Sequence, residues 1–182
     1  MISLRSEITK KLLNYFFINP HEELYINELA RKLNLDKRNL VKKLRELEEN
    51  GILKHNIRGN LRLYFINKEY PLYNEYKNIM LKTIGLENKL KNVIKEVPSI
   101  KKAYIYGSYA ENKMDTHSDI DLLVIGNHKI VQLQRKLNKL QNEIDREINS
   151  VSMDEREFEE RIKNKDPFIS DVLKKKHIEI VT

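Results

Sequence analysis

Lys101 through Tyr106 alternates polar and apolar residues and runs straight into Gly107-Ser108; a second run then opens with Asp119-Ile120-Asp121 and continues as Leu122-Leu123-Val124-Ile125. This pair of runs limits the fold more than any other feature. The first reads as a strand entering a core, and the second is apolar enough to be buried on both faces. Residues at alternate positions of a strand point to the same side, so Asp119 and Asp121 stand together where the second strand emerges. The apolar run Leu122 to Ile125 then anchors the second strand in the core and fixes the pair.

Gly107 lets the backbone turn and approach a ligand closely. Ser108 begins a short helix whose amides and hydroxyl favour a phosphate. Two carboxylates held side by side repel one another unless a cation lies between them, and a hard ion such as magnesium, or manganese, takes oxygen ligands of this kind together with substrate phosphates.

The stretch GSYAENKMDTHSDIDLLVIG resembles the signature of the minimal nucleotidyltransferases, in the superfamily of DNA polymerase β and kanamycin nucleotidyltransferase. The resemblance covers residues 99–182. It implies a small mixed sheet flanked by helices, with a nucleoside triphosphate over Gly107 and Ser108 and within reach of Ser118. Asp119 and Asp121 would be the catalytic pair and the metal ligands, and a nucleoside monophosphate would pass to an acceptor hydroxyl, on a protein, an RNA or a small molecule, with loss of pyrophosphate. A third carboxylate is implied on the strand after the next long helix. The matching position holds Asn149, and Glu147, on the same face by strand alternation, is the alternative. Glu111 stands where related loops carry a basic residue. His117 precedes the Asp pair and reads as a polar loop residue near the ligand. Tyr104, Tyr106 and Tyr109 read as core residues, with stacking on a base as the other reading.

The first half of the chain differs in charge. Residues 1–97 carry 19 Lys+Arg against 12 Asp+Glu, whereas residues 98–182 carry 15 of each. A basic excess confined to one half points to a polyanion as its partner. Apolar residues at helical spacing (Leu4, Ile8, Leu12, Leu13, Phe16) predict an opening helix that ends near Asn19-Pro20. A short helix over 25–33 and a third over 37–50 follow, the third capped by Asp36 and closed by Gly51. Two extended runs, 52–57 and 61–66, flank Arg58-Gly59-Asn60, a hairpin signal.

This order, with the passage INELARKLNLDKRNLVKKLRELEENGIL, resembles the winged-helix DNA-binding domains of prokaryotic regulators over residues 4–68. The resemblance implies a third helix in the major groove and Arg58 at a wing tip. Lys37, Arg38, Asn39, Lys42 and Lys43 form the polar face of that helix. Lysine and arginine would neutralise phosphates of duplex DNA, and Arg38 and Asn39 suit base edges.

The expected class is thus α+β, in three parts: a winged helix-turn-helix over 1–68, a connecting helix over 69–97 and a nucleotidyltransferase fold over 98–182. The connector starts at Pro71 and carries Gly85, which bends or divides it. It reads either as a spacer or as the contact of a homodimer. With no cysteine there is no disulfide or thiolate metal site. No apolar run approaches the roughly 18 residues of a membrane span, and MISLRSEITKKLL lacks the apolar core of a signal peptide; the expectation is a soluble cytoplasmic protein without a membrane partner.

Two functions fit. One is a magnesium-dependent nucleotidyltransferase carrying a DNA-binding domain, favoured by the intact Asp pair. The other is a DNA-binding transcriptional regulator whose second domain senses nucleotide or is catalytically degenerate, favoured by Asn149, Glu111 and the upstream positive charge. An antitoxin-like partner is a third, since minimal nucleotidyltransferases resemble components of toxin–antitoxin pairs.

Overall fold

The computed structural model describes residues 5–115 and 118–181; Leu4 and His117, both named above, lie outside them. The chain forms two compact units divided between Leu86 and Glu87.

The first unit opens with α1 (Glu7–Ile18), whose N-terminus is capped where the Thr9 amide donates to Ser6 Oγ at 3.4 Å. Its Leu12, Leu13, Phe16 and Ile18 are fully buried. Next come β1 (Leu24–Tyr25), α2 (Ile26–Leu33) and α3 (Lys37–Glu49). Asn34 ends α2 in the left-handed conformation, which a short polar side chain tolerates. Asp36 caps α3, its carboxylate accepting from the Asn39 amide at 3.0 Å. Leu40, Leu44 and Leu47 turn one side of α3 into the core.

The strands β2 (Leu53–Arg58) and β3 (Leu61–Ile66) pair antiparallel with Arg58 opposite Leu61, and β1 adds to the far side of β3. Gly59 takes a left-handed φ in the turn between them, as a two-residue hairpin requires. Glu48, near the end of α3, meets His55 of β2 and lies 3.8 Å from Arg62 of β3. Helix and hairpin are therefore cross-linked by one carboxylate.

The segment expected as a connecting helix over 69–97, bent or divided at Gly85, is divided there into two helices. The first, α4 (Tyr73–Thr83), starts two residues after Pro71 and packs on α1 through Phe17 and Tyr73, whose rings are 5.6 Å apart. The second, α5 (Leu86–Lys95), lies in the other unit but for its first residue. Gly85 lies between them at a point where nothing larger fits: a Cβ there would stand 2.6 Å from Asn14 Oδ1 and 2.7 Å from Leu81 Cα.

The second unit contains β4 (Ile100–Tyr106), the one-turn α6 (Gly107–Ala110), β5 (Ile120–Gly126), α7 (Ile130–Ile144), β6 (Ile148–Met153), α8 (Glu155–Lys163), α9 (Pro167–Lys174) and β7 (Ile178–Val181). Its four-stranded sheet runs β6-β5-β4-β7, mixed because β5 and β6 are parallel and the other pairs antiparallel. On one face, Tyr104, Leu123 and Ile125 pack with Met153 and with Phe158, Ile169 and Val172 of α8 and α9. Strand alternation turns Leu122 and Val124 to the other face, and α7 buries Leu133, Leu137, Leu140 and Ile144. Among the described residues no helix is long and apolar enough to cross a membrane.

Gly126 ends β5 with φ of +143°, where an added Cβ would lie 2.1 Å from the Ser99 carbonyl oxygen. The clash is with backbone and cannot be relieved by a rotamer change. Gly126→Ala is expected to destabilise the second unit by several kcal/mol, about the range of severe backbone and overpacking lesions, measured as a lowered midpoint in urea.

Candidate active site

The site is built at one end of the sheet. Antiparallel pairing sets Tyr106, the last residue of β4, opposite Asp121. The next residue, Gly107, turns the chain with φ of +69° into α6. A Cβ on Gly107 would stand 2.3 Å from Asp121 Oδ2. The glycine is required twice, for its backbone angle and because a carboxylate occupies the volume a side chain would need. Sequence order brought Gly107-Ser108 and Asp121 under suspicion separately; the register places the glycine and the carboxylate against each other. The carbonyl of Ser108 accepts from the Lys113 amide at 2.8 Å, which closes the loop.

Asp121 is half-buried, and burial pushes its carboxyl above the usual carboxylate range, with the charge of neighbouring Asp119 adding to the effect. Asp119 accepts from Asn149 Nδ2 at 3.0 Å, and the parallel pairing of β5 and β6 sets Asn149 opposite Asp121. Asp119, Asp121 and Asn149 therefore form one cluster. Glu147 does not join it: its carbonyl accepts from the Ile120 amide at 2.9 Å, and among the described residues no group of three or more His, Cys, Asp or Glu could hold a metal ion. The pair of carboxylates alone is still a hard oxygen donor set, and both the burial that chiefly raises the Asp121 pKa and the lesser repulsion from Asp119 are relieved by a bound cation.

Ser118, expected to touch a nucleotide, has its hydroxyl committed: Oγ donates to Asp115 Oδ1 and accepts from the Asp115 amide, both at 2.9 Å. Glu111 is balanced locally by Lys113 at 2.7 Å, which holds its carboxyl below the usual range, with Lys175 contributing at longer reach. Of the three tyrosines, Tyr104 lies in the core edge-on to His177, and Tyr109 is buried with its hydroxyl meeting no hydrogen-bond partner among the described residues. Tyr106 is half-buried and packs edge-on against Phe168, 5.6 Å away.

The sequence reading passed over Arg146. The residue is only 9% exposed, and Nη1 donates to the Ser118 carbonyl at 3.0 Å. No local pattern marks this residue, since its partner lies on another strand.

In the first unit, Lys37, Arg38, Asn39 and Lys42 are exposed on the early turns of α3. Lys43 is set apart from them, with a side chain only 18% exposed and paired to Glu46. Arg58 is exposed at the hairpin end and bonded to Glu23 at 3.2 Å, with Asn56 on the other oxygen of the same carboxylate at 3.1 Å.

Residues 88–179 match the Polymerase beta, Nucleotidyltransferase family. The chain belongs to this family. Solved structures similar to it include a toxin–antitoxin complex with AMP-PNP, at 18% identity and a TM-score of 0.40 over 53% of this chain and 73% of that one. A mutant of the toxin–antitoxin pair MntA–HpeT aligns at 16% identity and a TM-score of 0.41, over 53% of this chain and 74% of that one. A candidate nucleotidyltransferase from Sulfolobus solfataricus aligns at 20% identity and a TM-score of 0.29, over 41% of this chain and 68% of that one. No curated protein matches the chain.

For this member of the family, the raised Asp121 pKa sets a pH dependence. The folded protein takes up this proton at higher pH than the unfolded chain does, so the charged pair costs stability above the folded pKa and the cost is relieved on acidification. Asp119→Asn keeps an acceptor for Asn149 and removes the repelling charge. In EDTA it is expected to raise the melting temperature at pH 7, the gain shrinking toward about pH 4, where carboxyls protonate in both states. Thermal melts across that range check it.

Proposed function

We propose that the second unit is a magnesium-dependent nucleotidyltransferase, moving a nucleoside monophosphate from a triphosphate to an acceptor hydroxyl, and that the first unit is a winged helix-turn-helix that binds duplex DNA. The observation that carries the enzyme reading is the packing of Gly107 against Asp121, with Asp119 alongside. A turn able to accept phosphate close to its backbone thereby adjoins two carboxylates suited to a hard divalent ion.

Asp119 and Asp121 would hold that ion, which supplies charge neutralisation at the phosphates when bound. The chain's own contributions are positional. Gly107 leaves room for the Asp121 carboxylate to lie against the turn, so that a phosphate bound over the amides of α6 would meet the metal-holding pair directly. The ion pair of Glu111 with Lys113 keeps an uncompensated acid away from the incoming triphosphate. The anchoring of β5 by Leu122 to Ile125, all buried, fixes both carboxylates before substrate arrives, so little reorganisation is needed at the moment of reaction.

The winged-helix reading is supported by the order α1, β1, α2, α3, β2, β3 and by the strand order β1-β3-β2. The exposed Lys37, Arg38, Asn39 and Lys42 supply a positive surface for a phosphate backbone. Asn149 favours the second reading, a regulator whose nucleotidyltransferase fold senses nucleotide without transferring it, because asparagine adds no negative charge where a third carboxylate is expected.

Calorimetry with ATP, GTP, CTP and UTP tests the site. Magnesium-dependent binding to the wild type and its loss, by at least about tenfold, in Asp119→Ala/Asp121→Ala are expected; binding indifferent to both would refute the assignment. Transfer of label from an α-labelled triphosphate then separates enzyme from sensor.

For DNA, Lys37→Ala/Lys42→Ala is expected to weaken duplex binding and to flatten the log–log salt slope by about 2, near one per phosphate contact. Lys43→Ala, already paired within the helix, should change it much less. Equal effects of the two variants in a salt-titrated anisotropy assay would exclude α3's early turns as the contact.

A further inference from the structure

The start of β6 is tied to the start of β5 by consecutive contacts that converge on Asp119. Arg146 Nη1 donates to the Ser118 carbonyl at 3.0 Å, the Ile120 amide donates to the Glu147 carbonyl at 2.9 Å, and Asn149 Nδ2 donates to Asp119 Oδ2 at 3.0 Å. The residues before and after Asp119 are thus fixed through their backbone, and Asp119 itself through its carboxylate. An ionised carboxylate only accepts hydrogen bonds, so Asn149 must offer it the amide nitrogen and turn its carbonyl oxygen elsewhere.

This arrangement bears on how many cations the site can take. Two divalent ions close together repel about four times as strongly as two unit charges at the same distance. A pair of ions is therefore held by anionic ligands that bridge and flank it. Here the protein offers two carboxylates, and among the described residues no third acid joins them. Asn149 already donates to one of the two, and the guanidinium of buried Arg146 stands behind the same strand end. Both features lower the negative potential that would draw in a second ion.

We propose that Arg146 and Asn149 are positioning residues that set Asp119 from β6, and that the site takes one divalent cation with its nucleotide, not two. This rests on the reading of Asp119 and Asp121 as a metal–nucleotide site.

Native mass spectrometry of the full chain with ATP and Mn2+ tests it. The expected wild-type complex carries one Mn2+ per bound ATP, and Asn149→Asp, which restores a third carboxylate, carries two. Wild type with two Mn2+ overturns the one-cation inference and leaves the nucleotide site standing. A wild type that binds no ATP with Mn2+ overturns both. A melt supplies a readout independent of nucleotide. Asn149 is exposed, and its replacement leaves the buried Ile148 and Met153 of β6 in place. In EDTA, Asn149→Asp should melt below both the wild type and Asn149→Ala, because it sets a third charge against Asp119, and added Mn2+ should reverse the order. Equal melting of all three proteins in EDTA would show that Asn149 does not restrain Asp119, and the positioning role would fall.

Discussion

Two carboxylates of like charge sit on one strand end, and the strand must hold them there against their repulsion. That constraint explains much of the second unit. The restraint comes from apolar burial: Leu122, Leu123, Val124 and Ile125 follow immediately after Asp121, and each is at most 1% exposed. Fully burying one such side chain contributes roughly 1.5–3 kcal/mol, so four in succession anchor the strand with far more free energy than an incompletely screened pair of charges can oppose. The charged end is the opening of a strand whose remainder is among the most deeply buried segments of the unit.

The same logic assigns the neighbouring elements their parts. β4 and β5 pair so that the turn after Tyr106 falls beside Asp121, and only glycine leaves the space that the carboxylate fills. On the opposite side β6 runs parallel to β5, which requires a crossover, and α7 supplies it. The crossover returns the chain to the site end of the sheet and delivers Arg146 and Asn149 to the strand that carries Asp119. The site is thus assembled from three strands whose relative registers are set by the core and not by the site itself.

Much of this was legible in the sequence, for a physical reason: the decisive residues are adjacent in the chain. The strand into Gly107-Ser108 and the Asp119-Ile120-Asp121 run each carry their own local signal, as do the Asp36 cap of α3 and the turn at Gly59. What escaped notice is what depends on partners distant in sequence. Ser118 looked available for a ligand, yet its hydroxyl is held by Asp115. Arg146 carries no local signal, and it is buried with its guanidinium donating to the Ser118 carbonyl just ahead of β5. Glu48 carries no signal in its own segment of sequence and joins α3 to the hairpin. The division of the connector at Gly85 was legible, but not that Asn14 of α1 fills the space a side chain there would need. Spacing reports which residues share a face; it does not report what the face meets.

β6 lies at the edge of its sheet, paired on one side only. Asn149 therefore occupies a position where a change of side chain disturbs neither a central ladder nor the core. Asparagine and aspartate differ by a single base in their codons, and neither would disturb the packing of Ile148 or Met153 on the same strand. What a third carboxylate would cost here is therefore repulsion against Asp119, which a bound cation relieves, and not lost packing. Lineages sharing this scaffold are free to sharpen or to relinquish chemistry at that position while keeping the fold, and one asparagine on an exposed edge is enough to mark which way a given lineage has gone.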